Sequence, residues 1–160
     1  MRTGYSPSLP RLTAVLVAVA IIAGIVPAGA AEARSSGNVE HIARDLLNRL
    51  NEERHARGIQ PVAWDGDLAR LATQWSARMS DTKDYRHSDM NAAMQTSPYR
   101  ERFSYIGENI FLLYPAYESA GYAHRGWMQS EGHRRNMLNR YHDAVGIGII
   151  CDADGTMWAT

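Results

Sequence analysis

Two histidines and one glutamate, His87, Glu108 and His133, have the side chains with most scope for chemistry in this chain. Neutral imidazole is the commonest protein metal ligand. Two imidazoles with one carboxylate leave zinc an open position, the arrangement of a catalytic site. Glu108 can equally serve as a general base near a histidine, or simply pair with an imidazolium. No local ligand spacing such as H-E-x-x-H links the three. The chain also carries His41, His55, His124 and His142, and a lone histidine is usually a surface residue or a hydrogen-bonded core one. His87 and His133 stand out through their neighbours. Ser88 can orient a loop imidazole with its hydroxyl, and Gly132 permits an abrupt change of chain direction at the start of a helix.

Other reactive side chains carry blander readings. Ser130 can be written as a nucleophile with His133 as base, or as a helix-end or capping serine; the sequence offers no third orienting group or oxyanion hole. Cys151 is the one cysteine, so no intramolecular bridge can form. It follows Ile149-Ile150 and reads as a small buried hydrophobe, with a dimer-forming thiol as the alternative. Asn109 and Asn136 suit turns and caps, and Gly107 suits close packing. Trp64, Trp75, Trp127 and Trp158 are spaced as core or helix-packing aromatics. Tyr99, Phe103 and Tyr105 can line an apolar groove or pack within a loop.

The run Trp127 to Leu138, W-M-Q-S-E-G-H-R-R-N-M-L, with V-G-I-G-I after it, Gly107-Glu108-Asn109-Ile110 before it and His87-Ser88 earlier still, resembles the CAP superfamily (cysteine-rich secretory, antigen 5, pathogenesis-related 1) in its disulfide-poor bacterial form. The resemblance extends from the first helix through Trp158. It implies an α-β-α sandwich and one solvent-open cleft holding His87, Glu108 and His133, where several members bind zinc or another divalent metal. Ser88, Ser130 and Glu131 would line that cleft, with Asn109, Trp127, Gly132 and Asn136 as its structural motif. Many members carry a second acidic residue three positions after the helix tryptophan. Here Ser130 occupies that position. Glu131 is next, but one helical step turns a side chain by about 100°. Related bacterial chains usually continue W-x-T-Q, whereas this sequence reads Trp158-Ala159-Thr160; a short last strand with a poorly covered sheet edge is the expectation.

Around these residues the patterning predicts an α+β fold with helices about a small antiparallel sheet. Val39, Ile42, Ala43, Leu46, Leu47 and Leu50 recur at helical spacing, giving a first helix that ends at Gly58. Gln60 to Trp64 reads as a short extended crossing. Asp65 or Asp67 caps a second helix with the stripe Leu68, Leu71, Ala72, Trp75 and Met79. Ser80 to Arg102 is polar and irregular, turns at Ser97-Pro98 and carries His87. A third helix follows Pro115 to about Ser130, and Gly132 separates it from a fourth around Arg134 to Asn139. Val145 to Ile149 and Thr156 to Trp158, joined through Asp152-Ala153-Asp154-Gly155, read as a hairpin. Val145, Ile147 and Ile149 share one face; Gly146 and Gly148 leave the other open to a helix.

The N-terminal residues read as an export signal: Arg2 and Arg11 are basic, Leu12 to Val26 is apolar, and Pro27 precedes Ala28-Gly29-Ala30. The expected organisation is a signal peptide over 1–30, a linker over 31–37 and the domain over 38–160. An uncleaved anchor is the alternative, although the run is shorter than the roughly 20 residues a spanning helix needs. With 17 basic and 17 acidic residues the formal charge is zero, so no overall field argues for nucleic acid. The expectation is a secreted or envelope-located monomer. It would bind an unidentified lipid, glycan or protein, with zinc or another divalent cation in the cleft. A zinc-dependent hydrolase using Glu108, His87 and His133, or a lipid or sterol carrier, are the alternatives.

Overall fold

The computed structural model describes residues 28–114 and 119–160. In chain order the elements are α1 (Ala28–His55), β1 (Ala63–Trp64), α2 (Gly66–Thr82), α3 (Met90–Met94), α4 (Tyr99–Arg102), β2 (Phe111–Leu113), α5 (Ser119–Gln129), α6 (Glu131–Met137), β3 (Ala144–Val145), β4 (Ile149–Cys151) and β5 (Met157–Ala159). The export signal falls mostly outside the described residues. Helix α1 extends through 31–37, where the sequence suggested a linker. Alanines at 28, 30, 31 and 33 favour helix strongly enough to carry it across Ser35-Ser36-Gly37.

An antiparallel sheet in the order β2-β5-β4 forms the middle layer. Strand alternation divides its side chains. Ile149, Met157 and Ala159 face a core with Ile42, Leu46, Ala123 and Trp127 from α1 and α5. Trp158, Leu112 and Ile150 face the other way and meet Met79 and Trp75 of α2. The result is an α-β-α sandwich, α+β in class as the sequence suggested. The hairpin forms as expected between β4 and β5. Ala144–Val145, however, leaves it and pairs in parallel with Ala63–Trp64.

The two hairpin glycines explain how closely α2 approaches. A β-carbon on Gly146 would stand 2.0 Å from the backbone nitrogen of Ala69, and one on Gly148 would stand 2.0 Å from that of Thr73. These helix positions are one turn apart, so α2 lies directly on the glycine face. Ser76 then donates its hydroxyl to the Gly148 carbonyl at 3.0 Å. The start of α2 is capped by Asp65, whose carboxylate accepts from the amides of Asp67 at 2.9 Å and Leu68 at 3.0 Å. The Leu68 amide, more than any other partner, holds the Asp65 carboxyl below its usual value. Arg102 pairs with both Asp65 and Asp67, which fastens the long connection to α2.

Four expectations change. The segment 80–102 is not wholly irregular; it contains α3 and α4, capped in the first case by Asp89. The last strand is short but lies at the centre of the sheet, not at an under-covered edge, because both β2 and β4 pair with it. Trp64 is 45% exposed and outside the core, on β1, which pairs only with β3 among the described residues. The break between α5 and α6 falls at Ser130, which is extended at φ −89° and ψ 125°, and Gly132 is already inside α6. Cys151 is half-buried, with burial pushing its thiol pKa up.

Candidate functional site

Three segments converge on the site: the connection after α2 brings His87 and Ser88, the stretch before β2 brings Glu108 and Asn109, and α6 brings His133 and Asn136. Glu108 is the anchor. Its side chain is only 6% exposed, and a buried carboxylate must find partners. Oε1 accepts from the Ser88 amide at 2.9 Å and lies 2.8 Å from Nδ1 of His87. Oε2 accepts from the Ser88 hydroxyl at 2.6 Å. An ionised carboxylate only accepts, so Nδ1 of His87 is the donor in this contact, and in the neutral ring Nε2 would then present a lone pair. The His87 side chain is 56% exposed.

The ring centres of His87 and His133 lie 6.4 Å apart, with planes tilted by 43°. Burial, and second the proximity of His87, holds the His133 imidazole below its ordinary pKa. A neutral ring at this place is competent as a ligand.

An amide network fixes the frame. Asn109 donates to the His133 carbonyl at 3.1 Å. Asn136 donates to the Glu108 carbonyl and to Oδ1 of Asn109, each at 3.0 Å. Gly107 lets this happen: a β-carbon there would sit 3.3 Å from Oδ1 of Asn136. Trp127, buried beneath, donates Nε1 to the Ile110 carbonyl at 2.9 Å. Asn109, Asn136 and Trp127 thus connect the Glu108 segment to α5 and α6. Gly132 makes no such contact; a β-carbon there would meet nothing within 4 Å.

The remaining predicted cleft residues are less engaged. Ser130 stands at the N-cap of α6 without a side-chain capping bond. Glu131 is exposed and pairs with Arg135 at 3.2 Å. Among the described residues, no hydrogen bond joins either to His87, Glu108 or His133. The residue sequence reading missed is Arg54. It is 1% exposed and donates to the carbonyls of Gln60 at 2.7 Å, Met137 at 2.9 Å, Asn139 at 3.0 Å and His142 at 2.8 Å. It therefore ties α1 to the end of the helix that carries His133. Its only sequence signal was a charge on the line of the α1 apolar stripe.

Among the described residues no group of three or more His, Cys, Asp or Glu side chains is arranged to hold a metal ion. The physical reason is the engagement of Glu108: three of about four carboxylate lone-pair sites are already used. What the donors do fit is a divalent ion between two imidazoles, with Glu108 orienting His87 from behind, as outer carboxylates do in histidine metal sites. Two rings on one tetrahedral zinc would stand roughly 5 Å apart, so a modest approach of the rings is required.

A family model described as the cysteine-rich secretory protein family, CAP, matches residues 47–160. The YkwD protein of Bacillus subtilis is 29% identical over 121 residues, covering 72% of this chain and 44% of its own length. An extracellular protein of Bacillus anthracis containing an SCP domain superposes with a TM-score of 0.60 at 22% identity, over 86% of this chain and 44% of that one. An outer surface protein of Borrelia burgdorferi superposes at 0.58 with 15% identity, over 74% of this chain and 88% of its own. These two likenesses are of fold. The chain spans less than half the length of the YkwD relative.

Proposed function

The chain belongs to the cysteine-rich secretory protein (CAP) family, and from that premise we propose an exported binding module whose His87–His133 cleft holds a divalent cation and through it an envelope ligand. The observation that carries this reading is the Glu108 carboxylate. It is buried, held by Ser88 through two bonds, and bonded to Nδ1 of His87, which leaves Nε2 of that ring outside this contact. Such an investment of a buried charge in orienting one imidazole suits a ligand more than a surface histidine. A bound divalent ion would supply a Lewis-acidic centre for an anionic or carbonyl-bearing group of the partner. The protein's own part is to fix the His87 tautomer, keep His133 neutral and hold both on one amide-linked frame.

Export is supported by the N-terminal pattern, and by extracellular and outer-surface relatives. No described helix is long and apolar enough to cross a membrane. The hydrolase reading has less support, because a general base needs a carboxylate oxygen free to take a proton and Glu108 is largely engaged. The test is zinc titration calorimetry near pH 7.5. One-to-one binding, lost in the His87→Ala/His133→Ala double variant, is the expected result. A folded protein that binds no zinc overturns the proposal.

A further inference from the structure

Helix α3 starts two residues after Ser88, capped by Asp89, whose carboxylate accepts from the Ala92 amide at 2.9 Å. The turn this cap fixes brings Met90, the first helical residue, back onto the serine of the cleft. Its Sδ lies 2.9 Å from the Ser88 hydroxyl oxygen, which is also 2.6 Å from Oε2 of Glu108. A hydroxyl has one proton to give, so a sulfur and a carboxylate oxygen compete for it. The carboxylate wins, because a thioether is a weak acceptor and a bond to a charged oxygen is about twice as strong as a neutral one.

Met90 is also open to a small reagent. Met79, Met137 and Met157 are buried and Met128 packs against the core, whereas α3 contains no buried residue. Among the described residues, Met90 is the methionine whose sulfur accepts a hydrogen bond. Oxidation turns an apolar thioether into a polar sulfoxide, and here the change would fall on the group that holds Glu108.

We propose that Met90 is an oxidation site that tunes the cleft: a peroxide converts it to the sulfoxide, which takes the Ser88 proton from Glu108 and loosens His87. In the step a sulfur lone pair attacks one peroxide oxygen, the O–O bond breaks and an S–O bond forms. The departing hydroxide keeps its electron pair and is protonated to water, so sulfur is oxidised by two electrons and the peroxide reduced. The new oxygen is a far better acceptor than the sulfur and brings no proton of its own. Glu108 keeps the Ser88 amide and His87 on Oε1 but loses the bond that stops its carboxylate turning. The effect on metal rests on the function proposed above; the Met90–Ser88–Glu108 contact does not.

The test treats the full chain with hydrogen peroxide, follows Met90 by peptide mass spectrometry, and reads zinc binding by calorimetry and the His87 ring by nitrogen NMR. The expected result is one added oxygen on Met90, zinc affinity lower by about tenfold, and recovery after a methionine sulfoxide reductase. Met90→Leu, which keeps Cys151 and every other methionine, should lose the response to peroxide. Ser88→Ala should start weaker and lose no more on oxidation. Three results would overturn the inference: Met90 untouched at a dose that oxidises a free methionine peptide, unchanged affinity with Met90 fully oxidised, or an equal loss in Met90→Leu. If the untreated protein binds no zinc, the metal reading falls and the NMR signal decides. His87 nitrogen shifts that move on oxidation in the parent but not in Met90→Leu would sustain the inference, and shifts that stay put would end it.

Discussion

Asn109 Nδ2 donates to the main-chain carbonyl of His133 at 3.1 Å, so the residue beside Glu108 is fastened to the backbone of the second histidine. Glu108 and His133, far apart in sequence, are thereby spaced by one hydrogen bond and not by the intervening α5. Replacing Asn109 with Ala removes a second bond from that helical carbonyl and leaves one donor of Asn136 without a partner. The expected cost is about 1–3 kcal/mol in urea unfolding, with weaker zinc binding although both imidazoles are retained. Unchanged zinc affinity would show that the amide network does not set the histidine spacing.

Glu108 gives a graded expectation. Glu108→Ala removes the acceptor behind His87 and should weaken zinc binding by about 10–100-fold. In Glu108→Gln the amide oxygen can still accept from Ser88 N–H and His87 Nδ1–H, while the amide nitrogen donates to the Ser88 hydroxyl. Its loss should be smaller. Calorimetry on both variants distinguishes an orienting role from a bystander, for which neither would differ from the parent.

Two glycines should respond in opposite ways to the same substitution. Gly148→Ala drives a methyl to 2.0 Å from the α2 backbone, where no side chain can yield, and should cost about 3 kcal/mol or more, or prevent folding. Gly132→Ala, inside α6 with open space around it, should be neutral or stabilising by about 0.5–1 kcal/mol. Thermal melts of the pair check this; a tolerated Gly148→Ala would contradict the contact between α2 and β4.

Arg54→Met keeps bulk and removes the guanidinium, stranding the carbonyls of Gln60, Met137, Asn139 and His142. Each carbonyl left buried and unpaired costs about 1–3 kcal/mol. Lysine should not rescue it, because a single ammonium cannot serve the planar fork of acceptors. Denaturant midpoints decide the matter, and a midpoint near the parent's would remove Arg54 from its structural role.

Mild acid should destabilise the domain through its buried histidines. Burial is the first cause that holds His124, His133 and His142 below their ordinary pKa, and the Nε2 of His124 is buried with no hydrogen-bond partner among the described residues. The unfolded chain protonates these rings near pH 6.5, so below that value it binds more protons than the folded one. Stability therefore falls as pH drops through 6.5 toward the depressed folded values, and is fully present above it. The lowered Asp65 and Asp152 carboxyls add a second loss below about pH 4. Urea unfolding at pH 7.5, 6 and 5 should show the first decline, and His124→Gln should flatten it.

The helical stripes, the Asp65 cap and the glycine face of the hairpin were legible because each depends on local periodicity or on one residue's conformational freedom. His87, Glu108 and His133 were legible as candidates only through a resemblance; no spacing joins residues on three segments. The bonds of Glu108 to His87 and Ser88 follow from its burial and from the Ser88 backbone, which sequence cannot weigh. Arg54 was invisible for a related reason. Its four acceptors are backbone atoms, and any residue type supplies those. Trp64 shows the converse, since aromatic character suggested a core place that the short ribbon leaves uncovered.

The position of β5 between β2 and β4 also bears on the order of assembly. Both outer strands precede it in sequence and touch each other nowhere in the sheet, so neither has a pairing partner until Met157–Ala159 arrives. A chain made or threaded from its N-terminus must hold two unpaired strands and the apolar faces of α1, α2 and α5 until the last of them closes the layer. Non-local closure of this sort slows folding. For a domain exported as proposed above, that delay is useful: it keeps the segments before Met157 unfolded, and so transportable.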